Sequence, residues 1–73
     1  MYSGYWVEAD QIFGPLGYTQ HYFSDVHVFG PRGYTQYYRV GDHIYGPAGY
    51  AQCYFSGAYI YGPKENLPWH SRA

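Results

Sequence analysis

Apolar and polar positions alternate in short runs along this chain, and the pattern repeats every sixteen residues. Ile12-Phe13-Gly14-Pro15 recurs as Val28-Phe29-Gly30-Pro31, Ile44-Tyr45-Gly46-Pro47 and Ile60-Tyr61-Gly62-Pro63. In the same register Tyr2 is in phase with Tyr18, Tyr34 and Tyr50, and Trp6 with Tyr22, Tyr38 and Tyr54. Helical periodicity is absent, because Pro or Gly interrupts every stretch longer than about ten residues and β-branched and aromatic residues fill the intervals. The pattern predicts one β-hairpin per unit, with two turns. Gly14-Pro15-Leu16-Gly17 is the clearer turn: Pro15 suits the second position of a type I turn, and Gly17 can turn left-handed to close a three-residue loop with a bulge. The second turn falls at Ala9-Asp10, Asp25-Val26, Gly41-Asp42 and Gly57-Ala58.

Between the turns lie a longer strand, such as Tyr34 to Val40, and a shorter one, such as Asp42 to Gly46. Strand side chains alternate between faces. One face of the longer strand is constant, reading Tyr18-Gln20-Tyr22, Tyr34-Gln36-Tyr38 and Tyr50-Gln52-Tyr54. Its opposite face varies, with Thr19-His21-Phe23, Thr35-Tyr37-Arg39 and Ala51-Cys53-Phe55. A face that stays constant is expected to meet the same surroundings four times and to supply the core. The varied face is then expected to meet solvent or a partner. Ile12, Val28, Ile44 and Ile60, together with Phe13, Phe29, Tyr45 and Tyr61, are the expected core of the shorter strand.

The phase of the ends predicts closure. Units run approximately over 13–28, 29–44 and 45–60, and the fourth is assembled from 61–64 plus 1–12. The first and last strands complete that fourth hairpin by pairing with each other, which removes the exposed edges of an open sheet. The expected architecture is therefore all-β: four sixteen-residue hairpins closed about a pseudo-fourfold axis, spanning 1–64 as a single domain, with 65–73 as a C-terminal tail anchored by Trp69.

The run Ile-Tyr-Gly-Pro-x-Gly-Tyr at residues 44–50, with a short Gly/Asp turn between copies, resembles the bacterial four-fold β-flower proteins. The resemblance covers residues 1–64 and implies β-hairpin petals around a pseudo-fourfold axis. It implies no activity and no catalytic residue. Three departures lie at the seam where the ends meet: Met1 in place of a turn Gly, Gly4 in place of Gln, and Glu65 in place of Gly.

With 73 residues, a hydrophobic core is only marginally adequate. Cys53 is the single cysteine, so no disulfide can form within the chain, and no paired Cys-x-x-Cys metal clip is present. Aromatic residues are 25% of the chain, twelve of them Tyr, and charged residues only 12%, for a net charge of −1. That balance argues against nucleic acid as a partner, since a phosphate backbone requires clustered Lys and Arg. Low charge and abundant aromatics favour a homo-oligomer. Met1-Tyr2-Ser3-Gly4-Tyr5-Trp6 has neither the basic nor the apolar region of a signal peptide. No apolar run reaches membrane-spanning length, so no membrane partner is expected, and the default location is cytoplasmic.

Candidate chemistry is sparse. His27 and His43 occupy equivalent positions and could approach one another around a transition metal, but as strand-end residues they are better read as ordinary polar positions. Glu8, Asp10, Asp25 and Asp42 sit at or beside turns, where a carboxylate bonds its own backbone. Ser24 and Ser56 are turn residues without a nucleophile elbow. Cys53 reads as a small apolar residue. No catalytic residue, metal or cofactor is expected, and the chain reads as a non-enzymatic binding or assembly module. The expected ligand or interface surface is the varied face with the tail: Tyr5, His21, Phe23, Tyr37, Arg39, Phe55 and Trp69. The alternative is a lectin-like protein, with several equivalent aromatic sites for glycans built from the repeated Tyr and Gln.

Overall fold

The structure, a computed structural model, describes residues 1–70. The last three residues of the tail, 71–73, lie outside the described residues. Eight antiparallel strands follow one another in chain order: β1 Tyr2–Glu8, β2 Gln11–Gly14, β3 Gly17–Ser24, β4 His27–Gly30, β5 Gly33–Val40, β6 His43–Gly46, β7 Gly49–Ser56 and β8 Tyr59–Tyr61. Each pairs with the next, and β8 pairs with β1, so the sheet is a closed barrel. A short 3-10 turn, Lys64–Asn66, follows. Among the described residues no helix is long and apolar enough to cross a membrane.

The closure is visible in single bonds. Phe23 N donates to Asp10 O at 2.7 Å, Arg39 N to Val26 O at 2.8 Å and Phe55 N to Asp42 O at 2.7 Å. The fourth copy, Val7 N to Ala58 O at 2.8 Å, joins the two ends of the chain. Met1 also takes over the role of the missing turn glycine, its carbonyl accepting from Gly62 N at 2.8 Å.

Each longer strand carries a bulge near its start. Ile12 faces His21, but its neighbour Phe13 faces Tyr18, which leaves Thr19 and Gln20 outside the ladder. The Thr19 hydroxyl compensates by donating to Ile12 O at 2.8 Å; Thr35 does the same to Val28 O at 2.8 Å, and buried Ser3 to Ile60 O at 2.6 Å. The bulge forces positive φ on Gln20, Gln36 and Gln52, at 68°, 71° and 65°, and on Gly4 at 93°. Gly4 therefore departs from the repeat in the direction the backbone favours. A side chain in this region costs roughly 1 kcal/mol or more, and among the described residues Gln36 makes no side-chain bond that offsets it. Gln36→Gly is expected to raise the stability by about 1 kcal/mol. A urea titration checks this, and a lower midpoint would contradict the bulge.

Inside the barrel, Ile12, Val28, Ile44 and Ile60 are fully buried, as expected. Their neighbours Phe13, Phe29, Tyr45 and Tyr61 are only half-buried. They alternate with the isoleucine set along the shorter strands and point outward, which corrects their placement in the core. The glycine of each Gly-Pro pair now has a packing reason. A Cβ on Gly14 would lie 2.5 Å from the Tyr5 ring, on Gly30 2.7 Å from His21, and on Gly46 2.7 Å from Tyr37. On Gly62 it would lie 2.8 Å from Cys53 Cα. Each glycine is the seat for one inward side chain of the strand before it.

Candidate binding surface

The residues expected to form a binding face line the interior instead. Tyr5, Phe23, Phe55 and Trp69 are buried, each no more than 8% exposed. His21, Tyr37 and Arg39 are half-buried. Phe23 and Phe55 meet across the barrel with centroids 5.8 Å apart. The Arg39 guanidinium lies 4.1 Å from the centre of the Phe55 ring, with Nε donating to Gly41 O at 2.7 Å and Nη2 to Asp42 Oδ1 at 3.3 Å. Trp69 plugs the opposite end, packed edge-on to Tyr5 at 6.0 Å and beside His21 at 5.9 Å.

The physical reason for this reversal is convergence. Four inward side chains at one level share a single axial volume, so what is fixed is their summed size. Two large rings at 23 and 55 leave room for Val7 and for Arg39, whose head reaches the rim. Tyr5, His21, Tyr37 and Cys53 divide the next level in the same unequal way. Outward positions do not meet each other across the axis, and each copy can carry the same ring. In a closed barrel of this width, variation marks the inside and constancy the outside.

The constant positions build four aromatic rows on the outer surface. Trp6 stacks on Phe13 at 6.4 Å, and Tyr22 on Phe29, Tyr38 on Tyr45 and Tyr54 on Tyr61 each at 5.8 Å, with planes within 15° of parallel. A third ring, Tyr18, Tyr34, Tyr50 or Tyr2, completes each row at 5.3 to 5.6 Å. Such pairs contribute about 0.5–1.5 kcal/mol each beyond their burial, so the rows act as an external core for a thin barrel. Each row also starts on a ring stacked on one side only among the described residues: Trp6, Tyr22, Tyr38 or Tyr54.

Where these rings stand, shallow clefts open at the end of the barrel carrying the shorter turns. One, of about 390 Å³, is lined by Asp10, Gln11, Tyr18, Tyr22 and Phe23. A second, of about 420 Å³, is lined by Tyr2, Trp6, Glu8, Ala58 and Tyr59, and the repeat maps it onto the first. Trp6 Nε1 donates to Glu8 Oε2 at 3.2 Å, fixing the indole beside the carboxylate. The same register places His27, Tyr34 and Tyr38 around the third position, and Asp42, His43, Tyr50 and Tyr54 around the fourth. The two histidines are exposed and pack edge-on to tyrosines, His27 at 5.3 Å from Tyr34 and His43 at 5.4 Å from Tyr50. They stand on separate strands, β4 and β6, each against its own tyrosine.

In the sequence the repeated tyrosines are the alternative glycan sites, placed second to the varied face because constancy along a strand reads as burial. The signal that finds them is the repeat itself, read with the opposite sign. Cys53 is fully buried, its thiol donating to Pro63 O at 3.4 Å. Burial, with a smaller effect of the Glu65 charge, pushes its pKa up to about 11, so it stays a protonated thiol at neutral pH. Comparison with family models, curated proteins and solved structures gave no match.

Proposed function

We propose that this protein is a non-enzymatic, multivalent binding module whose sites are the repeated clefts outside the barrel, and that their ligand class is glycan. The observation that carries the reading is the outward placement of the copied tyrosines, each row beginning with a ring stacked on one side only. A pyranose presents an apolar C–H face and a rim of hydroxyls, and it needs an aromatic face beside hydrogen-bonding groups. Tyr22 with Gln11 and Asp10, and Trp6 with Glu8 and Tyr59, supply that combination. Each site is shallow and weak alone, but several on one rigid barrel gain avidity against a branched or surface-bound glycan. The low net charge suits an uncharged ligand. The closed four-hairpin barrel also supports the resemblance to the four-fold β-flower proteins as a family reading.

A glycan array followed by fluorescence titration tests this, because Trp6 lines one cleft. At least one glycan is expected to change Trp6 emission saturably, and the response should vanish in Trp6→Phe while the fold persists. Tyr22→Ala and Tyr54→Ala are each expected to weaken array binding about tenfold or more through lost avidity, at a stability cost of about 1 kcal/mol. An array without hits, with tyrosine resonances unmoved by millimolar sugars, would overturn the glycan reading.

A further inference from the structure

We infer that the cleft at Trp6 is a site for a quaternary ammonium group, taken up as a small free cation of the choline type. The inference goes beyond the glycan reading, because it assigns to one cleft a charge that neutral sugars lack.

The unit at the seam departs from its copies in one direction. Trp6 stands where the other units carry Tyr22, Tyr38 and Tyr54, and Glu8 where they carry Ser24, Val40 and Ser56. Tyr59 stands where they carry Gln11, His27 and His43. All three departures line the same cleft of about 420 Å³, together with Tyr2, Val7 and Ala58. The related cleft at Tyr22 keeps the Gln11 amide beside its tyrosines. At Trp6 that amide is exchanged for a further ring, and a carboxylate is added.

These side chains form the walls of an open box. Trp6 and Tyr59 are register partners across β1 and β8, both on the outer face. Trp6 rests one face on Phe13, on the β2 side, and turns the other toward β8. Tyr2 and Tyr59 meet at 5.6 Å with planes 85° apart, so they stand as two walls at right angles. They are 42% and 52% exposed, which leaves ring surface open to a ligand. Trp6 Nε1 donates to Glu8 Oε2 at 3.2 Å, which fixes the negative charge beside the indole.

Aromatic faces attract a cation through the ring quadrupole, Trp most strongly. A quaternary ammonium has no N–H to satisfy, and its methyl groups suit the apolar Val7 and Ala58. A primary ammonium would leave donors unpaired against ring faces. The net charge is small, but its placement favours a cation here. Glu8, Asp10, Asp25 and Asp42 stand in or beside the shorter turns, and Arg39 at that end is paired to Asp42 at 3.3 Å. Among the described residues no Lys or Arg lines the cleft.

Choline titrated into the full-length protein, followed by proton–nitrogen correlation spectra, tests the site. The Trp6 indole N–H reports on the cleft, and the buried Trp69 indole is an internal control. Choline is expected to shift the Trp6 signal saturably and to leave Trp69 unmoved. Its uncharged carbon isostere dimethylbutanol, and its primary-ammonium counterpart ethanolamine, should each bind at least about fivefold more weakly. Phosphocholine should also bind more weakly, because its phosphate meets Glu8. Tyr59→Gln restores the residue of the Gln11 copy and should weaken choline at least about fivefold, with native amide dispersion. An unmoved Trp6 signal, or an equal response to the uncharged alcohol, would overturn the inference. A preference for phosphocholine would overturn the free cation as the ligand. A neutral sugar that shifts Trp6 where choline does not would overturn the inference and leave the glycan reading standing.

Discussion

Removing residues 1–12 is expected to abolish the folded state and not merely trim it. The deletion takes all of β1, so β8 loses its partner and the barrel opens into a sheet with two exposed edges. It also removes Val7 N to Ala58 O, the Ser3 hydroxyl bond to Ile60 O, the Tyr5 ring against Trp69, and fully buried Ile12. Losing either large buried side chain alone costs about 2–5 kcal/mol. The whole stability of a domain this size is roughly 4–11 kcal/mol at 0.05–0.15 per residue. Far-UV circular dichroism and amide-proton dispersion read the outcome. A truncated chain with native dispersion would show that the ends do not close the barrel. A circular permutant opened at Arg32, with Ala73 joined to Met1 by a flexible linker, keeps every strand pair and the buried Leu67 and Trp69, and is expected to fold.

Making the inner repeat more regular is expected to do harm. Cys53→Tyr brings position 53 into agreement with Tyr5 and Tyr37, yet the site has no space for a ring. Cys53 is fully buried, and Gly62 already approaches so closely that a Cβ there would lie 2.8 Å from Cys53 Cα. Overpacking of this kind typically costs about 1–3 kcal/mol, and more for a whole ring, so a loss of at least about 3 kcal/mol is expected. Trp6→Tyr makes the outer face more regular by a comparable edit. Tyr already stacks at the equivalent positions 22, 38 and 54, so its cost should stay within about 1 kcal/mol. Urea midpoints of the two variants decide between inside and outside. Equal costs would contradict the assignment of faces.

The repeat made the strands, both turns, the closure and the isoleucine core legible from sequence, because these depend on local turn chemistry and on the phase of the ends. Even the departure at Gly4 was legible as a departure, although its cause, a bulge at positive φ, required the pairing register. What was not legible was the sign of the faces. Thr19-His21-Phe23 and Tyr18-Gln20-Tyr22 alternate on the same strand, and alternation alone does not say which set points inward. The inference from constancy to burial holds where neighbours are independent. It fails where Val7, Phe23, Arg39 and Phe55 must divide one axial space. The seat of Leu67 and Trp69 was hidden for another reason: the tail has no copy, so nothing in the repeat marks the surface it covers.

Two surfaces thus follow from one geometry. The copied outer rings line clefts outside the barrel, and the uncopied tail packs Leu67 and Trp69 against the inner rings at one end. Both depend on the copied positions facing outward. Limited nitration of the native protein with tetranitromethane, mapped by mass spectrometry, tests that most directly. Tyr18, Tyr34 and Tyr50, exposed at 42%, 45% and 44%, are expected to nitrate at similar rates, while Tyr5 at 8% stays protected until the protein is unfolded. Rapid nitration of Tyr5 with protection of the three copied tyrosines would turn the barrel inside out and contradict the account.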